Sequence, residues 1–500
     1  MKTGLIAEDL TFRYSGGMAP VLRDFSLELP KGSFTLVTGV SGCGKSTLCG
    51  VLAGTYPRHG GILEKGRVLC DGLDVHGASV SERAKKIGMM FQNPDLQFCM
   101  DTVENELVFC LENICVPPAE IPSHAEEALV FCGIEHLRSR KLHTLSGGEK
   151  QKVMLACIAA LGSEYIILDE PFANIDPHSS KLLLERLLRF QKEKGTTLLI
   201  VDHAVSNFLH IVDELVVLGE GGKILQRGIN SGNFSAHTAE LDSLGVSVPG
   251  SDYEHLSANS SRGGAQTQRK EEIIFSLREV KSGYDGAEVL QGTNIDFHKG
   301  CMTAITGESG SGKSTLLAVL ARMNPYKGSI KMQALPDQDL REISHIPRKS
   351  YAKQVGIVFQ NPQDQFVANT VYEEIAVSLR GIYEKEEMEL RVRKCLEEIG
   401  LWDFREFSPY MLSQGQQRRL AVGALLAYEC KVLLCDEPTY GQDRRSIESI
   451  MNFLQRRVLS DGLTVIFSTH DLCLAESYGD YHYCCDKGKL YVYAKDKPEL

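Results

Sequence analysis

The amino-acid sequence predicts two tandem α/β domains, each a mostly parallel sheet with flanking helices, and three observations predict it. The chain repeats itself: GVSGCGKSTL at Gly39 returns as GESGSGKSTL at Gly307, and FQNP at Phe91 returns at Phe359, each 268 residues later. LDEP at Leu168 returns as CDEP at Cys435, and a histidine closing an apolar run, His203, returns as His470, both 267 residues on. One residue of drift over such a distance marks two copies of one domain. Within each copy, short apolar runs such as FTLVTG, YIILDE and TLLIVDH alternate with helical segments. That alternation belongs to a sheet whose parallel strands are joined by helices. Finally, each Gly-rich stretch stands between an apolar run and a helix, so it is a strand-to-helix loop and not a free linker.

Five hundred residues exceed one ordinary domain. The repeat divides them into a first domain over 1–228, a flexible Ser/Gly-rich linker over 229–271 and a second domain over 272–500. A hydrophobic content of 43% and a charged content of 24% suit globular domains with sizeable cores. The net charge of −11 offers no global basic surface, so no nucleic-acid partner is expected. The first residues, MKTGLIAEDLTFRYSGG, do not read as a secretory signal, and no apolar run is long enough to span a bilayer. Any membrane role is expected to be borrowed from a partner. The 15 cysteines show no Cys-x-x-Cys pair or zinc spacing, which fits reduced thiols packed as small hydrophobes.

The chemistry starts at the Gly-rich loops. Gly39, Val40, Ser41, Gly42, Cys43, Gly44, Lys45, Ser46 and Thr47 form a phosphate loop and the start of its helix. Glycines let backbone N–H groups wrap phosphates, and the helix N-terminus adds a favourable dipole. Lys45 is placed for the terminal phosphates and Ser46 for Mg²⁺. Gly307, Glu308, Ser309, Gly310, Ser311, Gly312, Lys313, Ser314 and Thr315 repeat the pattern after the run MTAIT. The runs YIILDE and VLLCDE end in two carboxylates. Asp169 and Asp436 suit the metal, and Glu170 and Glu437 stand one residue further on, where an attacking water is polarised.

LSGGEKQ at Leu145 and LSQGQQRR at Leu412 lie a little over twenty residues upstream of each Asp-Glu pair. At these residues the chain resembles the ATP-binding-cassette family, and the resemblance covers nearly all of it outside the linker. It implies P-loop NTPase domains, each with a helical signature subdomain, that pack head-to-tail around two ATP molecules. One composite site would use Lys45, Ser46, Gln92, Asp169, Glu170 and His203, closed by Ser413 and Gly415. The other would use Lys313, Ser314, Gln360, Asp436, Glu437 and His470, closed by Ser146 and Gly148. In the family's terms Gln92 and Gln360 are Q-loop residues on the metal and water, His203 and His470 are the switch histidines, and Tyr14 and Tyr284 resemble the aromatic stacked on adenine. The chain departs from the pattern at Glu149, Gln414 and Gln442, and His203 sits in DHA where the second copy has THD. These differences put equal turnover at the two sites in doubt, while both keep their core catalytic groups.

After each Q-loop glutamine the text reads FQNPDLQFCMDTVENEL and FQNPQDQFVANTVYEEI. This is similar to the ATPases of energy-coupling-factor importers. The resemblance implies grooves at the Q-loops that receive an integral membrane subunit, a separate substrate-binding membrane subunit, and a place on the cytoplasmic face of the plasma membrane. The cargo it implies is a vitamin or a transition-metal ion. A tandem cassette protein acting on ribosomes is the alternative, opposed by the acidic balance and by a Ser/Gly-rich linker where a long charged helical pair is expected. The fused ATPase of another importer class is a further one.

Overall fold

The computed structural model describes residues 3–14, 19–172, 175, 177–203, 205–246, 272–284, 287–308, 310–333 and 340–493. Ser309, most of the ANID loop and residues 247–271 of the expected linker lie outside them. The chain divides into two compact units, Met1–Asp252 and Tyr253–Leu500.

In the first unit, β1 (Leu5–Arg13), β2 (Leu22–Leu29), β4 (Ile62–Cys70) and β5 (Leu73–Asp74) form one sheet in the order β2-β1-β4-β5. A second, six-stranded sheet contains β3 (Phe34–Gly39), β6 (Ile87–Met90), β7 (Tyr165–Asp169), β8 (Thr197–Val201), β9 (Glu214–Leu218) and β10 (Ile224–Ile229). Its order is β10-β9-β3-β8-β7-β6; every neighbouring pair is parallel except β9 with the edge strand β10. β3, β7 and β8 are buried along their whole length, which is why they read as unbroken apolar runs. Helices α1 (Lys45–Leu52), α2 (Val80–Lys86), α3 (Val103–Asn113), α4 (Ile121–Cys132), α5 (Gly147–Leu161), α6 (Pro177–Lys194) and α7 (Thr238–Ser243) complete the unit. α3, α4 and α5 pack on one another through Leu107, Leu111, Leu129 and Leu155, all within 1% of full burial, and form the helical subdomain.

The second unit repeats this plan. The order β12-β11-β14-β15 joins β11 (Ile273–Tyr284), β12 (Ala287–His298), β14 (Lys327–Met332) and β15 (Arg341–Glu342). The order β16-β17-β18-β13-β19-β20 joins β13 (Met302–Thr306), β16 (Val355–Val358), β17 (Val432–Cys435), β18 (Thr464–Ser468), β19 (Tyr481–Asp486) and the antiparallel β20 (Lys489–Val492). Its helices are α8 (Lys313–Leu320), α9 (Arg348–Ala352), α10 (Val371–Leu379), α11 (Lys385–Glu398), α12 (Gln414–Leu426), α13 (Arg444–Asp461) and α14 (Leu472–Tyr478).

Two features go beyond the sequence expectation. The antiparallel sheet of each unit is additional to the parallel one. The described part of the expected linker, 229–246, is folded: Leu241 and Val246 are buried in the first unit's core, and Phe234 and Leu244 pack beside them. These apolar residues lie within a polar text, and only Leu241 of them stands on α7. Among the described residues no helix is long and apolar enough to cross a membrane.

Candidate active site

β3 and α1 are joined by a loop whose backbone only glycine tolerates. Gly39 has φ 147°, and a Cβ there would lie 2.1 Å from the Leu218 carbonyl oxygen. Gly44, the N-cap of α1, has φ 104°. Having no side chain, Gly44 gives α1 no side-chain cap, and Gly312 leaves α8 in the same state. Both helices therefore present uncapped N–H groups and the positive end of the dipole to the loop, a ready anion site. Lys45 is buried and folded back, its Nζ donating to Gly39 O at 2.9 Å and Val40 O at 3.1 Å. Lys313 does the same toward Gly307 O at 2.7 Å and Glu308 O at 2.9 Å. Burial also pushes the Lys313 ammonium down, a penalty that a phosphate would relieve. The Cys43 thiol is buried against this loop, and its counterpart Ser311 lies beside Cys485, whose Sγ donates to Ser311 O at 3.1 Å.

β7 brings its two terminal carboxylates to the same place. Ser46 hydrogen-bonds Asp169, and Ser314 Oγ donates to Asp436 Oδ1 at 3.0 Å. Burial, and then the charge of Glu170, push Asp169 up to about 7; burial also raises Asp436, which takes a second bond from Ser468 Oγ at 2.7 Å. Among the described residues Asp169 Oδ1 is buried with no hydrogen-bond partner. A hydroxyl and a buried carboxylate beside a phosphate cradle fit Mg²⁺, which takes one or two protein oxygens and completes its shell from substrate and water. Among the described residues no cluster of three or more His, Cys, Asp or Glu makes an all-protein cage.

Glu170 and Glu437 both adopt positive φ, 50° and 49°, so each turns sharply off its strand end. Glu170 is 6% exposed, and two groups hold its carboxylate: Gln92 Nε2 at 2.7 Å and His203 Nε2 at 3.3 Å. Burial works against ionisation there, yet the His203 contact and nearby cations hold the carboxyl below its ordinary value. His470 Nε2 meets Glu437 Oε1 at 2.5 Å. Gln360 departs from its counterpart, its side chain making no hydrogen bond among the described residues, while its carbonyl accepts from Arg418 Nη2 at 3.1 Å.

Thus Lys45, Ser46, Gln92, Asp169, Glu170 and His203 converge in the first unit, and Lys313, Ser314, Gln360, Asp436, Glu437 and His470 in the second. Tyr14 also reaches the first loop, its Oη lying 2.7 Å from Thr47 Oγ1 and its ring edge-on to Phe12 and Tyr56. The ring stays 42% exposed. Tyr284 ends β11 at 52% exposure, with no bond to the loop among the described residues. Among the described residues Ser146 and Gly148 make no hydrogen bond to their own unit's loop. Ser146 caps α5, exchanging bonds with Glu149, whose carboxylate also takes the Ser146 hydroxyl at 2.8 Å. Ser413 caps α12 with Gln416, and Gly415 packs 2.5 Å, measured to an added Cβ, from Gln442 Oε1.

Sequence reasoning missed two contributors. Arg418 is 3% exposed, and its Nη1 donates to Glu437 O; burial pushes the guanidinium down to about 10, which leaves it charged at neutral pH. Ser468 Oγ accepts from Glu437 N at 2.9 Å. Arg418 stands inside the LSQGQQRR text and Ser468 ends the strand before His470, so position was the available signal.

The family model described as "ABC transporter" matches residues 22–173 and 290–440. A Bacillus subtilis protein named "Putative HMP/thiamine import ATP-binding protein" is 37% identical over 496 residues, covering 95% of this chain and 88% of its own. An ABC transporter ATP-binding protein of Saccharolobus solfataricus is 32% identical, covering 98% and 93%. The solved structure of cbiO1 from Clostridium perfringens, described as part of the ABC transporter complex cbiONQ, is 28% identical over 48% of this chain and 95% of that one, with a TM-score of 0.42. The chain therefore belongs to the ABC transporter family, as an ATP-binding and ATP-hydrolysing subunit with two cassette domains.

Proposed function

We propose that this subunit powers an importer of the energy-coupling-factor type, working at the cytoplasmic face of the plasma membrane for the uptake of a vitamin or a transition-metal ion. The observation that carries it is the surface beside each Q-loop. Leu96 is 74% exposed and Val367 75%, on loops leading directly from Gln92 and Gln360. An exposed apolar side chain beside each Q-loop glutamine suits the docking of a partner there. Each loop is also fixed: buried Glu106 accepts from Cys99 N and Met100 N, and buried Glu374 from Val367 N and Ala368 N, all at 2.8–3.0 Å. The occupant is an integral membrane subunit, with a separate membrane protein binding the cargo. The printed name of the Bacillus relative supports an import role.

In the chemistry, Lys45 and Lys313 leave the loop carbonyls for the terminal phosphates. Glu170 and Glu437 accept a hydrogen bond from the attacking water and take its proton as ADP and phosphate form. His203 and His470 hold those carboxylates and stand ready for the γ-phosphate. Tyr14 and Tyr284 offer faces to adenine. Mg²⁺, held by Ser46, Asp169 and Gln92 and by Ser314, Asp436 and Gln360, would supply charge neutralisation on the phosphates. Ser146, Gly148, Ser413 and Gly415 serve the γ-phosphate of bound nucleotide.

The test is purification of tagged chain from detergent-solubilised membranes, with Glu170→Gln and Glu437→Gln assayed beside it. A multi-span protein recovered in fixed stoichiometry, lost when Leu96 and Val367 become Asp, supports the reading. Recovery of ribosomal proteins with no membrane partner would overturn it in favour of the translation alternative. Near-normal hydrolysis in both Gln variants would remove the catalytic assignment.

A further inference from the structure

In the second unit one guanidinium joins three parts of the active site. Arg418 lies on α12, five residues after the capping Ser413, and donates to the carbonyls of both Glu437 and Gln360. Glu437 needs such support, since its positive φ is a conformation that ordinary side chains keep only when their surroundings impose it. Its peptide is gripped on both sides, the N–H by Ser468 Oγ and the C=O by Arg418. The first unit meets the same need differently. Glu170 N bonds to Val201 O at 2.9 Å, and its C=O takes only a long contact, 3.5 Å, from Gln151 Nε2, the counterpart of Arg418. There Gln92 holds the carboxylate itself.

We propose that Arg418 is a positioning residue for Glu437, setting the direction of its carboxylate by fixing its carbonyl and that of Gln360 to a single helix. A guanidinium does this where an amide cannot, because its donors sit on separate nitrogens of one rigid plane and reach two carbonyls at once. Turnover in the second unit is thereby tied to the Q-loop and to α12 through the backbone, whereas in the first it is tied through the Gln92 side chain. Arg418 reaches carbonyls and not the phosphate loop, so its loss acts on the chemical step and spares nucleotide binding. The inference rests on Glu437 being the carboxylate that polarises water.

The full-length chain carrying Glu170→Gln, so that the second unit's ATP turnover is read alone, is assayed as this parent and with Glu437→Gln, Arg418→Gln or Arg418→Lys added, with thermal midpoints recorded for each. Arg418→Gln is expected to lower kcat about tenfold while KM for ATP stays within about twofold, since a misplacement near 1 Å costs up to about a hundredfold. Arg418→Lys is expected to lie between, keeping one contact of two. If Arg418→Gln does not fold, Arg418→Lys carries the test: a reduced kcat at constant KM supports the assignment and a kcat equal to the parent's overturns it. It is equally overturned if Arg418→Gln keeps the parent's kcat while Glu437→Gln loses it, or if kcat and the midpoint fall together, alike in both Arg418 variants. An unchanged Glu437→Gln would instead remove the reading on which the inference stands.

Discussion

Gln92 Nε2 donates to Glu170 Oε2 at 2.7 Å, whereas Gln360 is linked to Glu437 through its backbone carbonyl and Arg418. Matching motifs are thus wired differently. Gln92→Ala strips Glu170 of one of its two anchors and leaves His203 alone to orient it. Gln360→Ala removes a side chain that makes no such bond. In steady-state assays of the isolated chain with Glu437→Gln silencing the second unit, Gln92→Ala is expected to lower kcat about tenfold; with Glu170→Gln silencing the first unit, Gln360→Ala is expected to lower it by less.

The phosphate loops give a prediction from space alone. An alanine methyl at Gly39 would meet Leu218 O at 2.1 Å, and one at Gly307 would meet Cys485 O at 2.2 Å. Neither backbone oxygen can step aside without disturbing β9 or β19. At Gly42 and Gly310 the added carbon meets nothing within 4 Å, so only the positive φ is strained. Gly39→Ala and Gly307→Ala should therefore each abolish binding of a fluorescent ATP analogue at one loop. Gly42→Ala and Gly310→Ala should weaken it by about tenfold, the cost of about 1–2 kcal/mol for an L-residue in that region.

The contrast shows what a sequence displays. Lys45, Ser46, Asp169 and Glu170 were legible because their chemistry is written within a few residues, at the ends of β3 and β7 where apolar text stops. The antiparallel sheet was not, since β1 pairs with β4 over a long separation, Leu5 opposite Cys70, and no local signal records that pairing. Arg418 and Ser468 were readable as residues but not as partners of Glu437, because main-chain carbonyls and amides look alike in sequence. Cys484 and Cys485 had no account from sequence. The structure sets them behind the second phosphate loop, with Cys485 Sγ donating to Ser311 O at 3.1 Å.

Glu106 and Glu374 supply a prediction on the proposed docking surface. Each is nearly fully buried, and each satisfies two consecutive or neighbouring loop N–H groups with one carboxylate oxygen. Alanine would leave those donors without their acceptor. The expected loss is about 1–3 kcal/mol for each variant, read from chemical denaturation. Amide exchange of residues 99–100 and 367–368 should accelerate more than that of β7 or β17. Protection unchanged in those loops would show that the carboxylates do not fix them.

Glu342 tests the same logic through pH. Tyr326 Oη and Ile330 N donate to its Oε1 at 2.9 Å, and Ser329 Oγ donates to Oε2 at 2.7 Å. Burial opposes ionisation, but these three donors prevail and hold the carboxyl below its ordinary value; the Tyr326 phenol, pushed up to about 12 chiefly by burial, stays a donor throughout. A carboxyl depressed in the folded state contributes stability that is complete above its unfolded pKa, about 4.3. That contribution is lost as pH falls through the folded value, because the unfolded chain then binds the extra proton first. Glu342→Gln offers one acceptor oxygen where three donors converge on two. It should lower the denaturation midpoint at pH 7, and the gap from wild type should narrow progressively below about pH 4.3. A gap constant from pH 7 down to pH 3 would mean that the charge on Glu342 contributes nothing to holding β14 and β15 together.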